Sequence, residues 1–246
     1  MKFKSSMMTH VDGRMHHIGI RKEHIAENVI ITPDPLMIPF YAKFLENAQQ
    51  MGDYREYVTY TGTYNGKPLS IMSCGFGCMP VAIAIEELHH LDVKQIIRIG
   101  ENPAIQEHIK VGEICLASGS VRSEGNSKEY IDISYPAIAD MDLLFKLMNR
   151  QKDLRISIFR SHDVENLDSP YGPNGMERIK KWSKLGVDVF DAETSSMYIV
   201  SSCIRNKTAS LALIHENYLT NEKLDEDTLN EKREEMFRIA GDVLTM

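Results

Sequence analysis

The chain has 246 residues, of which 43% are hydrophobic and 26% charged, so it can bury a core of its own. Its formal net charge is -7 and no run of Lys and Arg dominates any segment, which argues against binding to a nucleic-acid backbone. No apolar run reaches the ~20 residues of a membrane helix, and the first residues lack the apolar core of a signal peptide. We therefore expect a cytoplasmic protein that has no membrane partner.

Eight strands are predicted from short runs that are rich in β-branched and aromatic residues and bounded by Gly, Pro, Asn or Asp. In chain order they are Asn28–Thr32, Val58–Tyr64, Pro68–Cys74, Gln95–Ile99, Glu113–Ser118, Arg155–Arg160, Val187–Asp191 and Ala209–His215. Six predicted helices alternate with them: Leu36–Gln50, Pro80–Leu91, Ile138–Arg150, Met176–Leu185, Glu193–Arg205 and Thr228–Leu244. Asn65 and Gly66 predict a two-residue hairpin turn, because both residues tolerate positive φ.

The alternation of strands and helices predicts the α/β class, with a mixed central β-sheet that is flanked by helices and mostly parallel in its centre. No internal repeat or linker divides the chain, so we expect a single domain over residues 17–246, preceded by an N-terminal tail of residues 1–16. Ligands of such sheets bind at the carboxyl ends of the strands. The polar residues that follow each predicted strand are therefore the candidate site residues.

Four cysteines occur, mostly inside apolar runs, and are expected to be buried, reduced thiols. Cys74 and Cys78 are separated by three residues, a spacing that can hold a metal ion. No second pair of Cys or His at ligand spacing accompanies them, so no metal site is predicted.

Several motifs in chain order resemble the hexameric nucleoside phosphorylases, which include uridine and purine nucleoside phosphorylases. They are the P-D-P turn after the first strand, IAIEELHHLDVKQIIRIG, AIQEHIKVGEICLASGSVR and FDAETSSMY. The resemblance extends from about His17 to the C-terminal helix. It implies a single α/β domain around a distorted mixed sheet, and a homo-oligomer that is a dimer or a trimer of dimers.

The reaction implied by this resemblance is the reversible cleavage of a nucleoside by phosphate, which gives a free base and ribose 1-phosphate. Phosphate is then a co-substrate, and no organic cofactor or catalytic metal is implied. Cleavage passes through a sugar with oxocarbenium character. The site must therefore bind the ribose hydroxyls, present an anionic nucleophile and stabilise charge on the departing base.

Ribose binding is the part of the family site that the sequence preserves best. Glu193, in Phe190-Asp191-Ala192-Glu193, matches the glutamate that the family uses to bind the sugar hydroxyls, and Asp191 conservatively replaces the first acid of that motif. His17 matches a histidine that reaches the ribose 5′-hydroxyl from the neighbouring subunit.

Phosphate binding is preserved at three positions. Arg55 matches an arginine that the family donates across the dimer, and Arg98 matches the arginine at the end of the central strand. Gly75 begins a glycine loop, Gly-Phe-Gly-Cys-Met-Pro, that fits the family loop except at its last residue.

Other phosphate positions depart from the family pattern. Pro33 replaces the glycine of the G-D-P turn and has no N–H to donate, and Met37 stands at the position of the following arginine. Glu101 and Pro103 stand where the family has a hydroxyl residue and a second glycine. A carboxylate a few ångströms from bound phosphate costs on the order of a few kcal/mol, so we expect ordinary phosphate binding to be weakened.

Base recognition is altered as well. Glu165 stands at the position of the aromatic residue that stacks on the base, so Tyr171 or Phe190 is a candidate replacement. Asn217 is the best match to the residue that contacts the departing base in the family, and as an amide it cannot protonate that base at neutral pH. His215 and Glu216 are alternative proton donors.

Three functions remain open on the sequence. The first is a nucleoside phosphorylase with an unusual substrate preference. The second is an N-ribosyl hydrolase, as in the related nucleosidases, in which Glu101 would act as the base that activates water. The third is a catalytically silent paralogue that binds a nucleoside or pairs with an active subunit.

Overall fold

The computed structural model describes residues 9, 10, 12–164 and 174–246. Within them, ten strands form one mixed sheet: β1 (Asn28–Thr32), β2 (Glu46–Tyr54), β3 (Tyr57–Tyr64), β4 (Lys67–Ser73), β5 (Gln95–Ala104), β6 (Ile114–Ser123), β7 (Ala137–Ile138), β8 (Arg155–His162), β9 (Val189–Asp191) and β10 (Lys207–Asn217). The α-helices of the same residues are α1 (Ile38–Ala42), α2 (Cys78–His90), α3 (Ser127–Tyr130), α4 (Met141–Arg150), α5 (Gly175–Lys184), α6 (Thr194–Ile204) and α7 (Glu226–Leu244).

β5 is the strand around which the sheet is organised. It pairs in parallel with β1 and β10, and its last residue pairs antiparallel with β9. On the β1 side the sheet continues through β4 and β3 to the edge strand β2. On the other side β10, β6, β8 and β9 follow one another back to β5, so these five strands close on themselves.

Helix α6 is buried against this sheet and against α2. All residues from Thr194 to Ser201 are buried, and half of them are Ser or Thr. Their hydroxyl groups need partners in the interior. Ser195 donates to Glu124 and Ser196 to Asn126, whereas Ser201 Oγ has no partner among the described residues. This packing fixes the N-terminus of α6, and with it the residue that precedes the helix, at the end of β9.

The expected fold is confirmed: the chain is an α/β domain with a mixed sheet flanked by helices, and parallel pairs join its central strands. All eight predicted strands are present. The hairpin turn also has the expected form, since Asn65 and Gly66 both have positive φ, of 51° and 72°. The polar residues after Asn217 form a loop before α7.

The predicted helix over Leu36–Gln50 is wrong in its second half. Helix α1 ends at Ala42, and β2 begins at Glu46 and pairs only with β3. Most of β2 is exposed, so no buried face marks it as a strand in the sequence. Gly62 of β3 allows the two strands to approach, because a Cβ there would lie 2.6 Å from the backbone oxygen of Glu46. Pairing across the sheet, rather than local propensity, determines this segment.

Several smaller features also bear on the sequence predictions. Cys74, Cys78 and Cys115 are buried, whereas Cys203 is exposed. Met15, within the predicted tail, is buried in the core. None of the helices in the described ranges is long and apolar enough to cross a membrane. Across the same ranges, no three His, Cys, Asp or Glu residues are grouped so as to hold a metal ion.

Candidate active site

A cavity of about 110 Å³ lies where the C-terminal ends of β1, β5, β8, β9 and β10 meet. We call it the inner cavity. A second cavity of about 300 Å³, the outer cavity, is lined by Phe76, Gly77, His162, Asp163 and Ala192. Phe76, His162 and Ala192 line both, so the two cavities are adjacent, and together we call them the cleft.

The floor of the inner cavity is a buried ion pair between Arg98 of β5 and Glu193, which precedes α6. Arg98 Nη2 donates to Glu193 Oε2 at 2.5 Å, and the two side chains are 1% and 2% exposed. The backbone N–H of Gly77, at the start of α2, donates to Glu193 Oε1 at 2.8 Å. The pair therefore joins β5, α6 and the glycine loop at one point.

The sequence around Arg98 is adapted to this position. A Cβ on Gly100 would lie 2.6–2.8 Å from the Arg98 guanidinium, so glycine is needed for the side chain to fold back over the strand. Asn102 Oδ1 and Ser210 Oγ accept longer hydrogen bonds of 3.4 Å from Arg98. The buried Nε of Arg98 has no hydrogen-bond partner.

Burial alone would lower the pKa of Arg98, but the carboxylates of Glu193 and Asp191 outweigh it, and the pKa is raised. Burial also raises the pKa of Glu193, against the opposing effect of Arg98. The 2.5 Å contact and the donated N–H of Gly77 both stabilise the carboxylate form. We therefore describe the pair as a guanidinium and a carboxylate.

Glu101, next to Gly100 on β5, also lines the inner cavity. Arg233 of α7 holds its carboxylate with two hydrogen bonds, from Nε at 2.7 Å and from Nη2 at 2.9 Å. The same guanidinium donates to Glu226 at 2.7 Å and to Asn230 at 2.8 Å. The charge of Glu101 is thus compensated inside the protein.

Asp191 and Phe190, the last residues of β9, form another wall of the inner cavity. The carboxylate of Asp191 accepts from Ser161 Oγ at 2.6 Å and from the N–H of Thr194 at 2.8 Å. The second contact caps the first turn of α6. Asp191 therefore fixes the backbone that carries Glu193.

Comparison with known proteins agrees with this geometry. The model of the phosphorylase superfamily matches residues 27–245. The chain belongs to the phosphorylase superfamily.

Individual relatives point to nucleoside phosphorylases within this superfamily. The chain is 28% identical over 222 residues to uridine phosphorylase from Thermococcus kodakarensis, covering 86% of this chain and 80% of the relative. It is 31% identical over 229 residues to the DeoD-type purine nucleoside phosphorylase of Bacillus subtilis, covering 90% and 93%. The crystal structure of uridine phosphorylase from Vibrio fischeri ES114 superimposes with a TM-score of 0.80 at 27% identity, covering 99% and 96%. The protein is thus nucleoside phosphorylase-like.

The motif residues of the phosphorylase resemblance divide into two groups. Arg98, Glu101, Phe190, Asp191 and Glu193 meet in the inner cavity. The residues of the other group do not line the cleft: His17, Arg55, Gly75 and Asn217.

Three residues of this second group lie on the surface or in the glycine loop. His17 is held by Glu87 of α2, which accepts from its backbone N–H at 3.1 Å and contacts its Nδ1 at 2.7 Å. Arg55 is exposed in the turn between β2 and β3, 5.4 Å from the centre of the Tyr54 ring. Gly75 has φ of +72° and packs against Glu56 and Pro80. The prediction for Glu165, together with the candidate Tyr171, lies outside the described residues.

The side chain of Asn217 is hydrogen-bonded to the backbone around it and does not line the cleft. Its Nδ2 donates to the backbone oxygens of Gln106 and Ile109, and its Oδ1 accepts from the N–H groups of Leu219 and Thr220. A register shift in β10 between Ile214 and Glu216 explains this orientation. It leaves three neighbouring residues to line the inner cavity: His215, Glu216 and Tyr218.

Three residues beside the cleft were not singled out from the sequence: Arg160, His162 and Arg178. Arg160 and His162 are two residues apart at the end of β8, so they lie on one face of the strand. That spacing, directly before the predicted ligand-binding end, is the signal that could have identified them. Arg178, on α5, has no comparable signal.

Proposed function

We propose that this protein binds a nucleoside in the cleft and cleaves its N-glycosidic bond with phosphate, giving a free base and ribose 1-phosphate. The buried pair of Arg98 and Glu193 on the cavity floor is the observation that carries this proposal. A carboxylate and a guanidinium side by side supply what the reaction needs: an acceptor for sugar hydroxyls and a donor for phosphate. Phosphate is then the co-substrate, and the reaction itself needs no organic cofactor.

Glu193 is the residue that we assign to the ribose hydroxyls. Each carboxylate oxygen has two lone pairs and accepts only one hydrogen bond from Arg98 or Gly77. The remaining lone pairs can accept from the 2′- and 3′-hydroxyls. Asp191 supports this role indirectly, because it caps α6 and so orients Glu193.

Arg98 is the residue that we assign to phosphate, with Arg55 of a second subunit as the other cation. Arg98 lines the inner cavity and keeps an unpartnered Nε. Arg55 and His17 lie outside the cleft of their own chain. We therefore place the reaction in a homo-oligomer, in the cytoplasm, in which a neighbouring subunit supplies both side chains.

The ion pair of Glu101 with Arg233 bears on both alternatives to ordinary phosphorolysis. A carboxylate that accepts two hydrogen bonds from a guanidinium is a weaker base toward water, which disfavours the hydrolase hypothesis. The same pairing reduces the repulsion between Glu101 and phosphate. The geometry thus favours phosphate over water as the nucleophile.

The departing base is placed toward His215 and Phe76. His215 lines the inner cavity and its Nδ1 has no hydrogen-bond partner, so it can donate to or protonate a base. Phe76 is 68% exposed and lines both cavities, where its ring is available to stack on a base.

A second candidate function is nucleoside binding without phosphorolysis. It is favoured by Pro33, which lines the inner cavity and has no N–H to offer a phosphate oxygen. In this case the chain would bind a nucleoside or pair with an active subunit.

Base release from uridine, inosine, adenosine and thymidine, with and without phosphate, separates these functions. We expect release from at least one nucleoside only when phosphate is present, and its loss in Arg98→Gln. Glu234→Gln, on the exposed face of α7, is the control and keeps the activity. Release without phosphate would support the hydrolase. Binding without release would support the second candidate.

A further inference from the structure

Beside the cleft lie the buried side chains of Arg160 and His162 and the half-buried side chain of Arg178, and all three are incompletely hydrogen-bonded. Four of their atoms have no partner: Nη1 of Arg160, Nδ1 of His162, and Nε and Nη2 of Arg178. A buried donor without a partner costs about 1–3 kcal/mol, so four in one place call for an explanation.

Arg160 is 6% exposed, and its Nε donates to Ser123 Oγ at 3.0 Å. Its guanidinium lies 4.7 Å from the centre of the Trp182 ring and 5.2 Å from that of Phe190. Burial, with a smaller contribution from Arg178, lowers the pKa of Arg160 to about 10. The guanidinium remains charged at neutral pH, between two aromatic rings.

His162 connects this arginine to the cleft. It is 5% exposed, lines both cavities, and meets the edge of the Phe190 ring at 4.9 Å. Burial, Arg160 and Arg178 lower its pKa to about 4, against a smaller opposite effect of Asp191. His162 is therefore neutral at pH 7, and one tautomer offers Nδ1–H as a donor.

No acidic side chain in the described ranges forms an ion pair with Arg160 or Arg178. Asp163, three residues after Arg160, accepts instead from the N–H of Gly125 at 2.8 Å. Asp191 accepts hydrogen bonds from Ser161 and Thr194. Two guanidinium groups close enough to repel each other thus have no ion-paired carboxylate among the described residues, so a bound anion would stabilise them.

The unpartnered atoms match the shape of one kind of anion, a planar carboxylate. Nε and Nη2 form one edge of the Arg178 guanidinium, and such an edge can donate two parallel hydrogen bonds to a carboxylate. Arg160 Nη1 adds a further donor, and His162 Nδ1 adds another in the tautomer that carries the proton there.

We propose that Arg160, His162 and Arg178 bind a carboxylate group carried by the base of the nucleoside in the cleft. The proposal rests on the proposed function, which places the sugar at Glu193 and the base toward Phe76 and His215. His162 lines the same inner cavity as these residues. It names the substrate class as nucleosides whose base bears a carboxylate.

Calorimetric titration with matched ligands tests this proposal. The ligands are uridine, 5-carboxyuridine and 6-carboxyuridine, together with the two uridines that carry a neutral carboxamide at the same positions. We expect at least one carboxylate to bind about tenfold more tightly than its carboxamide, as for a charge-assisted bidentate contact. Arg178→Gln and Arg160→Met should bring this ratio close to one, whereas Lys180→Gln, on the exposed face of α5, should keep it.

The outcomes separate this proposal from the proposed function. Uridine binding without a preference for either carboxylate would overturn the carboxylate site and leave the phosphorylase function standing. A preference that persists in both arginine variants would also overturn it, because the carboxylate would then bind elsewhere. A preference that the variants abolish, without base release from any ligand, would support the site and count against phosphorolysis. No binding by any ligand would overturn both.

Discussion

The two parts of the cleft differ in whether their charged side chains form ion pairs. In the inner cavity two acids are ion-paired with arginines, since Glu193 faces Arg98 and Glu101 faces Arg233. Beside the outer cavity, Arg160 and Arg178 lie near each other, and neither forms an ion pair with a carboxylate of the described residues. The cations of the inner part are thus paired within the chain, whereas those of the outer part have no ion-pair partner among the described residues. We propose from this difference that the chemistry is retained at the sugar and that selectivity lies at the base.

The largest effect is expected where the charges are paired. Glu193→Ala leaves Arg98 as an uncompensated buried cation, so we expect the free energy of unfolding to fall by about 3–5 kcal/mol. Urea denaturation measures this change. Glu234→Ala is the matched control, because it breaks an exposed pair with Arg238 and should cost less than about 1 kcal/mol. Equal losses in the two variants would mean that the buried pair of Arg98 and Glu193 contributes no more to stability than an exposed pair.

Stability measured over a series of pH values tests the environment of His162, which lies beside Arg160 and Arg178. The pKa of His162 falls from 6.5 to about 4 on folding, because burial and the two arginines disfavour its charge. As pH decreases below 6.5, His162 becomes protonated in the unfolded chain but stays neutral in the folded chain. The free energy of unfolding therefore falls on acidification. We expect this contribution to reach on the order of 2–3 kcal/mol near pH 4.

His162→Gln removes the contribution, so the stability difference between wild type and variant should change steadily between pH 7 and 4. His90→Gln, at an exposed position of α2, is the control variant. A difference that stays constant over this range would contradict the buried, cation-facing environment of His162.

A third test asks whether the end of β10 contributes chemistry or structure through Asn217. Asn217→Ala removes the four hydrogen bonds that hold the neighbouring loop, which should destabilise the fold by about 2 kcal/mol. We expect the rate at saturating substrate to change much less than for His215→Asn. Thermal unfolding and initial rates measure the two effects. A large rate loss in a stable Asn217→Ala protein would restore the catalytic assignment made from the sequence.

The smallest effect is expected where Arg233 neutralises the charge of Glu101. Arg233→Met leaves the Glu101 carboxylate unpaired beside the inner cavity, and repulsion should raise the KM for phosphate about tenfold. Glu101→Gln in the same chain should restore it, because the added charge is then gone. An unchanged KM in Arg233→Met would place phosphate elsewhere.

The sequence predicted the fold well wherever burial produces a visible pattern. β1 and β5 are apolar runs and begin at their predicted residues, whereas β2 is polar and exposed and was interpreted as helix. Its conformation depends on pairing with β3, and a local reading of propensity does not include that partner.

The site shows the same limit. Motif matching brought Arg98 and Glu193 to one cavity, but it placed Asn217 there as well, because a bulge in β10 cannot be read from the residues. The significance of Arg160 and Arg178 could not be predicted either. It lies in the lack of an ion-pair partner among the described residues, which only the packed structure reveals.

Phosphorus NMR on a mixture of the protein, phosphate and the nucleoside that releases most base tests the central claim most directly. Phosphorolysis predicts a new sugar-phosphate signal that grows in step with free base and disappears in Arg98→Gln. Free base without that signal, or neither product from a nucleoside that binds, would contradict the assignment of the inner cavity as a phosphorolysis site.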